Sequence, residues 1–332
     1  MTEAELAALG LHRIAVPIPF LAAGGPVNVY LLERADGGLT LFDAGLGTEA
    51  AHGVLLAGLA RLGRRPEEIR RIVVSHGHLD HFGGAALLSE RAGGAPVQVH
   101  PADLMKVDER GPSWAARRPG VRAHFARLGV PSEVSLASEQ AGERSYGSAR
   151  RVVGAQPIGP GEIVEGRALR FEVLHLPGHT PGLLALHEPR RKVLLPSDHL
   201  LERISPNPLL ELGPDGEPGF FRPLVTYLDS LVRTRALDLD LVLPGHGPPF
   251  QGHQAVIDGL LGFYARRQAR LVELAAGGTD TAWSLCRALF PAARPADTYL
   301  TLSETVGNLE VLEARGEIAC DRGGPVWRYA AQ

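Results

Sequence analysis

Lysine and cysteine are almost absent from this 332-residue chain, with two of each. Lys106 and Lys192 stand against a basic complement that is otherwise all arginine. That bias reads as a composition effect rather than a phosphate-binding signature. The net charge of −3 gives no basic excess of the kind a nucleic-acid partner demands. Cys286 and Cys320 lie late in the chain and form no Cys-x-x-Cys pair, which argues against a thiolate metal site and points to buried thiols in a reducing compartment. No apolar run approaches the ~18 residues of a membrane span. The acidic N-terminus, Met1-Thr2-Glu3-Ala4-Glu5, lacks the apolar core of a secretory leader, so a cytoplasmic location is expected.

What the chain does have is 45% hydrophobic residues and enough length for a large unit plus a smaller one. Strand patterns occur at 27–32, 39–42, 71–75, 169–174, 192–195 and 239–243, with a helical pattern at 48–62 and another helix starting at 83. The second strand runs into Asp43-Ala44-Gly45, a carboxylate followed by a tight turn. Residues 101–165 hold Arg, Pro and Gly with weak periodicity and read as an inserted, lid-like segment. The expected division is a catalytic domain over 1–254 and a smaller domain over 255–332. The latter should hold helices at 257–275, 282–289 and 300–315, with Gly316 as the terminating glycine. Two short strands near 317–320 and 326–329 complete a winged-helix-like pattern.

The chemistry concentrates in His76-Gly77-His78-Leu79-Asp80-His81, at the end of a strand. Imidazole and carboxylate are ligands for zinc, iron or manganese, and four of them in six residues suggest two ions. Crowding so many titratable groups without a cation is costly. Downstream, His179 follows Pro177-Gly178, Asp198 follows Pro196-Ser197 and His246 follows Pro244-Gly245. Each comes after a strand-like run, so all are expected on loops at strand ends.

His-x-His-x-Asp-His followed by His, Asp and His resembles the signature of the metallo-β-lactamase superfamily, over roughly residues 12–250. The resemblance implies an α+β fold: a four-layer αββα sandwich with its site at one edge, here followed by the small winged-helix-like domain. It implies one metal on His76, His78 and His179, a second on Asp80, His81 and His246, and Asp198 bridging both together with a hydroxide. Zinc is the expected ion, with iron or manganese as alternatives. Asp80 would also orient the nucleophile as the catalytic residue, Asp43 would support the ligand loop, and His199 would stand near ligands or substrate. Asp198 occupies a position where the commonest β-lactamases carry cysteine, which moves the resemblance toward hydroxyacylglutathione hydrolases, lactonases and nuclease-like members. The run from Asp198-His199-Leu200-Leu201 to Ile204-Ser205-Pro206-Asn207-Pro208 resembles the subgroup with C-terminal tails.

The expected activity is hydrolysis of a small-molecule thioester or related acyl ester. A single-strand-specific endoribonuclease and a lactonase are the alternatives. A non-hydrolytic di-iron module ranks below them, because no flavodoxin-like segment follows residue 250. Residues 256–332 carry eight Arg and no Lys against nine Asp and Glu. Nucleic-acid binding is therefore not expected of the tail, which should instead close the pocket or form a homodimer contact.

Overall fold

The computed structural model describes residues 2–19, 25–213 and 217–332. A six-stranded sheet has the order β1 (Leu11–Val16), β2 (Val27–Glu33), β3 (Leu39–Phe42), β4 (Ile69–Val73), β5 (Val97–Val99), β6 (Gln156–Pro157). Its first three strands pair antiparallel and its last three add in parallel. A five-stranded sheet holds β7 (Ile163–Glu165), β8 (Arg170–His175), β9 (Leu184–Glu188), β10 (Val193–Ser197) and β11 (Leu241–Pro244), also in sequence order. Only β10 and β11 pair in parallel there.

Period-two alternation explains the layering. On β2, Tyr30 and Leu32 point into the core between the sheets, while Val29 and Leu31 point into a second core beneath helices Glu49–Arg61 and Ala85–Arg91. Leu241 and Leu243 of β11 meet the first core, and Val242 packs against Tyr227, Ile257 and Tyr264 of the outer helices. Both faces of each sheet are thus covered, which is the expected four-layer αββα sandwich. The strands read as continuous apolar runs for this reason.

The span 101–165 is more ordered than its composition suggests. It contains helices Trp114–Arg127 and Ser132–Tyr146, and it ends in β6 and β7, which join opposite sheets. The C-terminal region follows the expected order: helices His253–Ala276, Ala282–Leu289 and Thr298–Ala314, then β12 (Ile318–Asp321) pairing with β13 (Arg328–Ala331). Gly316 has φ +72°, the left-handed conformation expected after the last helix. Helix His253–Ala276 serves two cores. Its Ile257, Leu260 and Tyr264 cover the sandwich, and its Leu271 and Ala275 pack in the tail. Val121, Phe125 and Leu128 of the inserted helix share that tail core with Leu285, Leu302 and Leu309. Both cysteines are free. No helix among the described residues is long and apolar enough to cross a membrane.

Candidate metal centre

The two sheets deliver their functional side chains to one edge. Asp43 follows β3, and His76 and His78 follow β4. His179 lies between β8 and β9, while Asp198 and His246 follow β10 and β11. Cross-sheet hydrogen bonds lock the halves together. Leu184 N donates to Ser75 O (2.8 Å), Asn28 N to Gly245 O (2.7 Å), and Tyr30 Oη to Pro244 O (2.8 Å). Asp80 and His81 sit on a single helical turn, Leu79–Phe82, with His78 at its N-terminal boundary, rather than on an open loop.

Three sets of donor atoms converge, each within 4.8 Å: His76, His78 and His179; Asp80, His81 and His246; and His76, His81 and Asp198. His76 Nε2 is 3.0 Å from His78 Nδ1. His246 Nε2 is 3.4 Å from Asp80 Oδ2. Asp198 stands between the sets, with Oδ1 3.3 Å from His81 Nε2 and Oδ2 3.6 Å and 3.5 Å from His179 and His246 Nε2. Ligand atoms held about 2.0–2.1 Å from a tetrahedral zinc lie roughly 3.3 Å apart, so this spacing fits metal coordination.

A second observation supports that fit. His81 Nε2, His179 Nε2, His246 Nε2 and Asp198 Oδ1 are buried without any hydrogen-bond partner. Orphaned buried donors and acceptors are expensive, and here they all face one point. The opposite ring nitrogens are satisfied. His81 Nδ1 pairs with Asp43 Oδ2 at 2.8 Å, His179 Nδ1 with Asn207 O at 2.9 Å, His246 Nδ1 with Pro26 O at 3.2 Å, and His76 Nδ1 with Ser75 Oγ at 2.9 Å. A carbonyl or carboxylate on Nδ1 fixes the proton there and leaves the Nε2 lone pair free for a cation.

The electrostatics are those of a cation site. Burial pushes His76 and His78 well below the usual imidazole value, and burial likewise lowers His179. For His81 burial acts in the same sense, but Asp198, Asp43 and Asp80 overcome it and raise it well above normal. His246 is pushed up to about 10, as Asp198 and Asp80 overcome burial. Burial would raise Asp198, yet His81 and His246 hold it well below the carboxylate range. The carboxylates Asp80 and Asp198 are thus biased toward the ionised form, and a cation would compete with protons for the Nε2 atoms of His81 and His246.

Asp43 is the expected support of the ligand loop, whereas Asp103 is not evident from sequence. Asp43 does more than turn the chain: it accepts from Ser75 N (2.7 Å) and Ser75 Oγ (2.9 Å) as well as pairing with His81. Its φ of +68°, like the +50° of Ser197, places strained backbone beside the ligands. Asp103, wholly buried, accepts from Gly77 N (2.9 Å) and Thr180 Oγ1 (2.6 Å), tying the first His loop to the His179 loop. A lone Asp in an arginine-rich insertion offers no pattern to find it by. The Pro-Gly pairs acquire a reason at Gly245, where a Cβ would sit 2.2 Å from Asp198 Oδ1. His199 turns away from this centre. It is fully buried, with Nε2 2.8 Å from Thr234 Oγ1 under the helix Pro223–Arg235, and burial lowers it to about 3. Its ring belongs to none of the converging donor groups and is not among the residues that line the cleft.

A cleft of about 1770 Å³ opens onto His78, Asp80, His179 and Asp198. Its far walls come from the inserted helices and from the tail helices.

The family model of the metallo-beta-lactamase superfamily matches residues 22–246, so the chain belongs to that superfamily. A probable metallo-hydrolase of Bacillus subtilis is 32% identical over 305 residues, covering 92% of each chain. A hydroxyacylglutathione hydrolase of Haemophilus influenzae is 27% identical over 194 residues, covering 56% of this chain and 74% of its own. The crystal structure of a metallo-beta-lactamase family protein from Thermus thermophilus superposes with a TM-score of 0.82 at 30% identity, covering 97% of this chain and 99% of that one. The long relatives therefore span the tail as well as the sandwich. Membership and these relatives make the chain a metallo-hydrolase of the superfamily.

Proposed function

We propose that the chain hydrolyses an acyl thioester or related ester at a centre of two divalent cations. The observation that carries this is the set of orphaned Nε2 atoms facing one point, with Asp198 placed between the two ligand groups. His76, His78 and His179 would hold one cation and Asp80, His81 and His246 the other, with Asp198 lying between the two groups. Zinc is the ion proposed, and iron and manganese accept the same donors. Such a pair supplies a water whose pKa falls from about 15.7 to about 7 and a Lewis acid for the acyl oxygen.

The chain's own residues do the rest. Asp80 lies on the cleft floor beside His246, where it orients the attacking water and takes its proton. The water oxygen bonds to the acyl carbon, the carbon–sulfur or carbon–oxygen bond breaks, and the proton passes from Asp80 to the departing group. Asp43 holds the His81 ring and the Ser75 backbone so that the ligands meet the metal without rearranging. The likeness to a hydroxyacylglutathione hydrolase favours the thioester over the lactone.

Metal-loaded protein assayed on S-lactoylglutathione, simple acyl thioesters, a lactone and single-stranded RNA tests this reading. Thioester turnover is expected. Turnover of RNA alone would replace this reading with the endoribonuclease.

A further inference from the structure

The cleft is larger than the ~300–1,000 Å³ of an ordinary ligand site, and its composition names what fills it. Away from the metal centre its surface is made by Trp114 and Val121 of the insertion and by Val256, Leu260, Phe263 and Phe290 of the tail. Cations also line it, but each lies beside a carboxylate of the same wall, Lys106 and Arg117 sharing Glu211. Lys106 pairs with Glu211, Arg117 lies 3.9 Å from Glu211, and Arg203 lies 3.3 Å from Glu202. Arg294 is 2.9 Å from Asp297. Arg267 is 2.6 Å from Glu304, and its guanidinium also stacks over Phe263 and Phe290 at 4.7 and 4.5 Å. Among the described lining residues, no Lys or Arg is left without an acidic partner. Trp114 Nε1 and Asn207 Oδ1 lack hydrogen-bond partners and are neutral, whereas Arg267 Nε and Glu304 Oε1, which also make no hydrogen bond of good geometry, face each other as an ion pair.

A phosphate or carboxylate entering this cleft would have to compete with an existing ion pair, at a cost that burial magnifies at Lys106–Glu211 and Arg267–Glu304 and that is small at the exposed pairs of Arg203 and Arg294. An apolar chain meets no such penalty. We infer that the cleft is an acyl-chain subsite, selecting thioesters or esters with a long apolar acyl group on an uncharged carrier, and disfavouring glutathione, coenzyme A and RNA. This rests on the acyl-hydrolase reading above and narrows its substrate. Each methylene buried is worth about a fourfold gain in binding. The four that separate butanoyl from octanoyl have a ceiling of roughly 250-fold on that scale.

Gly259 supplies the test variant. It lines the cleft on helix His253–Ala276, and a Cβ added there meets nothing within 4 Å. Gly259→Phe therefore adds a ring to the cleft wall from a position whose Cβ is unobstructed. The substrates are acetyl, butanoyl, octanoyl and dodecanoyl thioesters of N-acetylcysteamine, an uncharged carrier, beside octanoyl-coenzyme A and S-lactoylglutathione. The kcat/KM should rise at least tenfold from butanoyl to octanoyl on N-acetylcysteamine and should fall on coenzyme A. Gly259→Phe, with an unaltered unfolding midpoint, should lower the octanoyl-to-butanoyl ratio at least tenfold. A flat or falling chain-length series, or a preference for the anionic carriers, overturns the inference while leaving the acyl-hydrolase reading intact. If no acyl compound turns over, that reading fails, and binding decides the subsite alone. Metal-free protein should then take up the neutral apolar dye N-phenyl-1-naphthylamine saturably, with at least tenfold weaker binding in Gly259→Phe. Absence of saturable uptake refutes the subsite.

Discussion

At the sandwich edge, the ring nitrogens of His76, His81, His179 and His246 each have a specific partner or face the common point between the histidines. Across the cleft, the wall made by the inserted helices and the tail is held by distributed apolar contacts among residues such as Val121, Phe125, Leu285 and Leu302. The two regions should respond differently to change. Loss of one partner in a buried polar network leaves a charge or donor uncompensated. An apolar core loses stability in proportion to the volume removed and tolerates exchange that conserves volume. On the proposed function, chemistry belongs to the edge and substrate shape to the wall.

The sharpest way to break this contrast is Asp198→Ala. Removal of the carboxylate between the two ligand sets should lower turnover by at least about a thousandfold and reduce metal content, with a folded protein by circular dichroism. Asp43→Ala acts at one remove. It should weaken metal binding by about 10–100-fold in a competition titration, because His81 and Ser75 lose their acceptor.

On the opposite wall, Phe125→Ala should cost about 3–5 kcal/mol in urea unfolding without altering metal stoichiometry. Metal loss in that variant would mean the wall and the edge are one unit. The smallest effect concerns Glu310 of helix Thr298–Ala314. Burial, with Glu313 adding to it, raises this carboxyl to about 7 against an ordinary 4.5. Ionising it in the folded protein opposes folding, so the penalty is absent below about pH 4.5, grows through the window up to about 7 and is complete above it. Glu310→Gln should add about 1–2 kcal/mol of stability at pH 8 and nothing at pH 4.

The same contrast explains what the sequence could reveal. The seven candidate ligand positions cluster in short motifs at the ends of apolar strands, and all seven fall within the three converging groups of donor atoms. Most long elements lay within a few residues of expectation, since β2, β10 and β11 are buried on both faces. The strand before the histidine cluster ends at Val73 rather than Ser75, because Ser75 is taken up by Asp43. β6 and β7 are two and three residues long, too short to carry a period. Helix Trp114–Arg127 contains Pro119 and presents no clear apolar stripe. Asp103 and Asn207 act through contacts far away in sequence, which no local pattern records.

The central claim is that this edge holds two cations joined by Asp198. Elemental analysis of the purified, metal-loaded chain tests it most directly. Two divalent ions per chain are predicted for the wild type, and one or fewer for Asp198→Ala. A wild-type stoichiometry of one, or undiminished loading in Asp198→Ala, would contradict it.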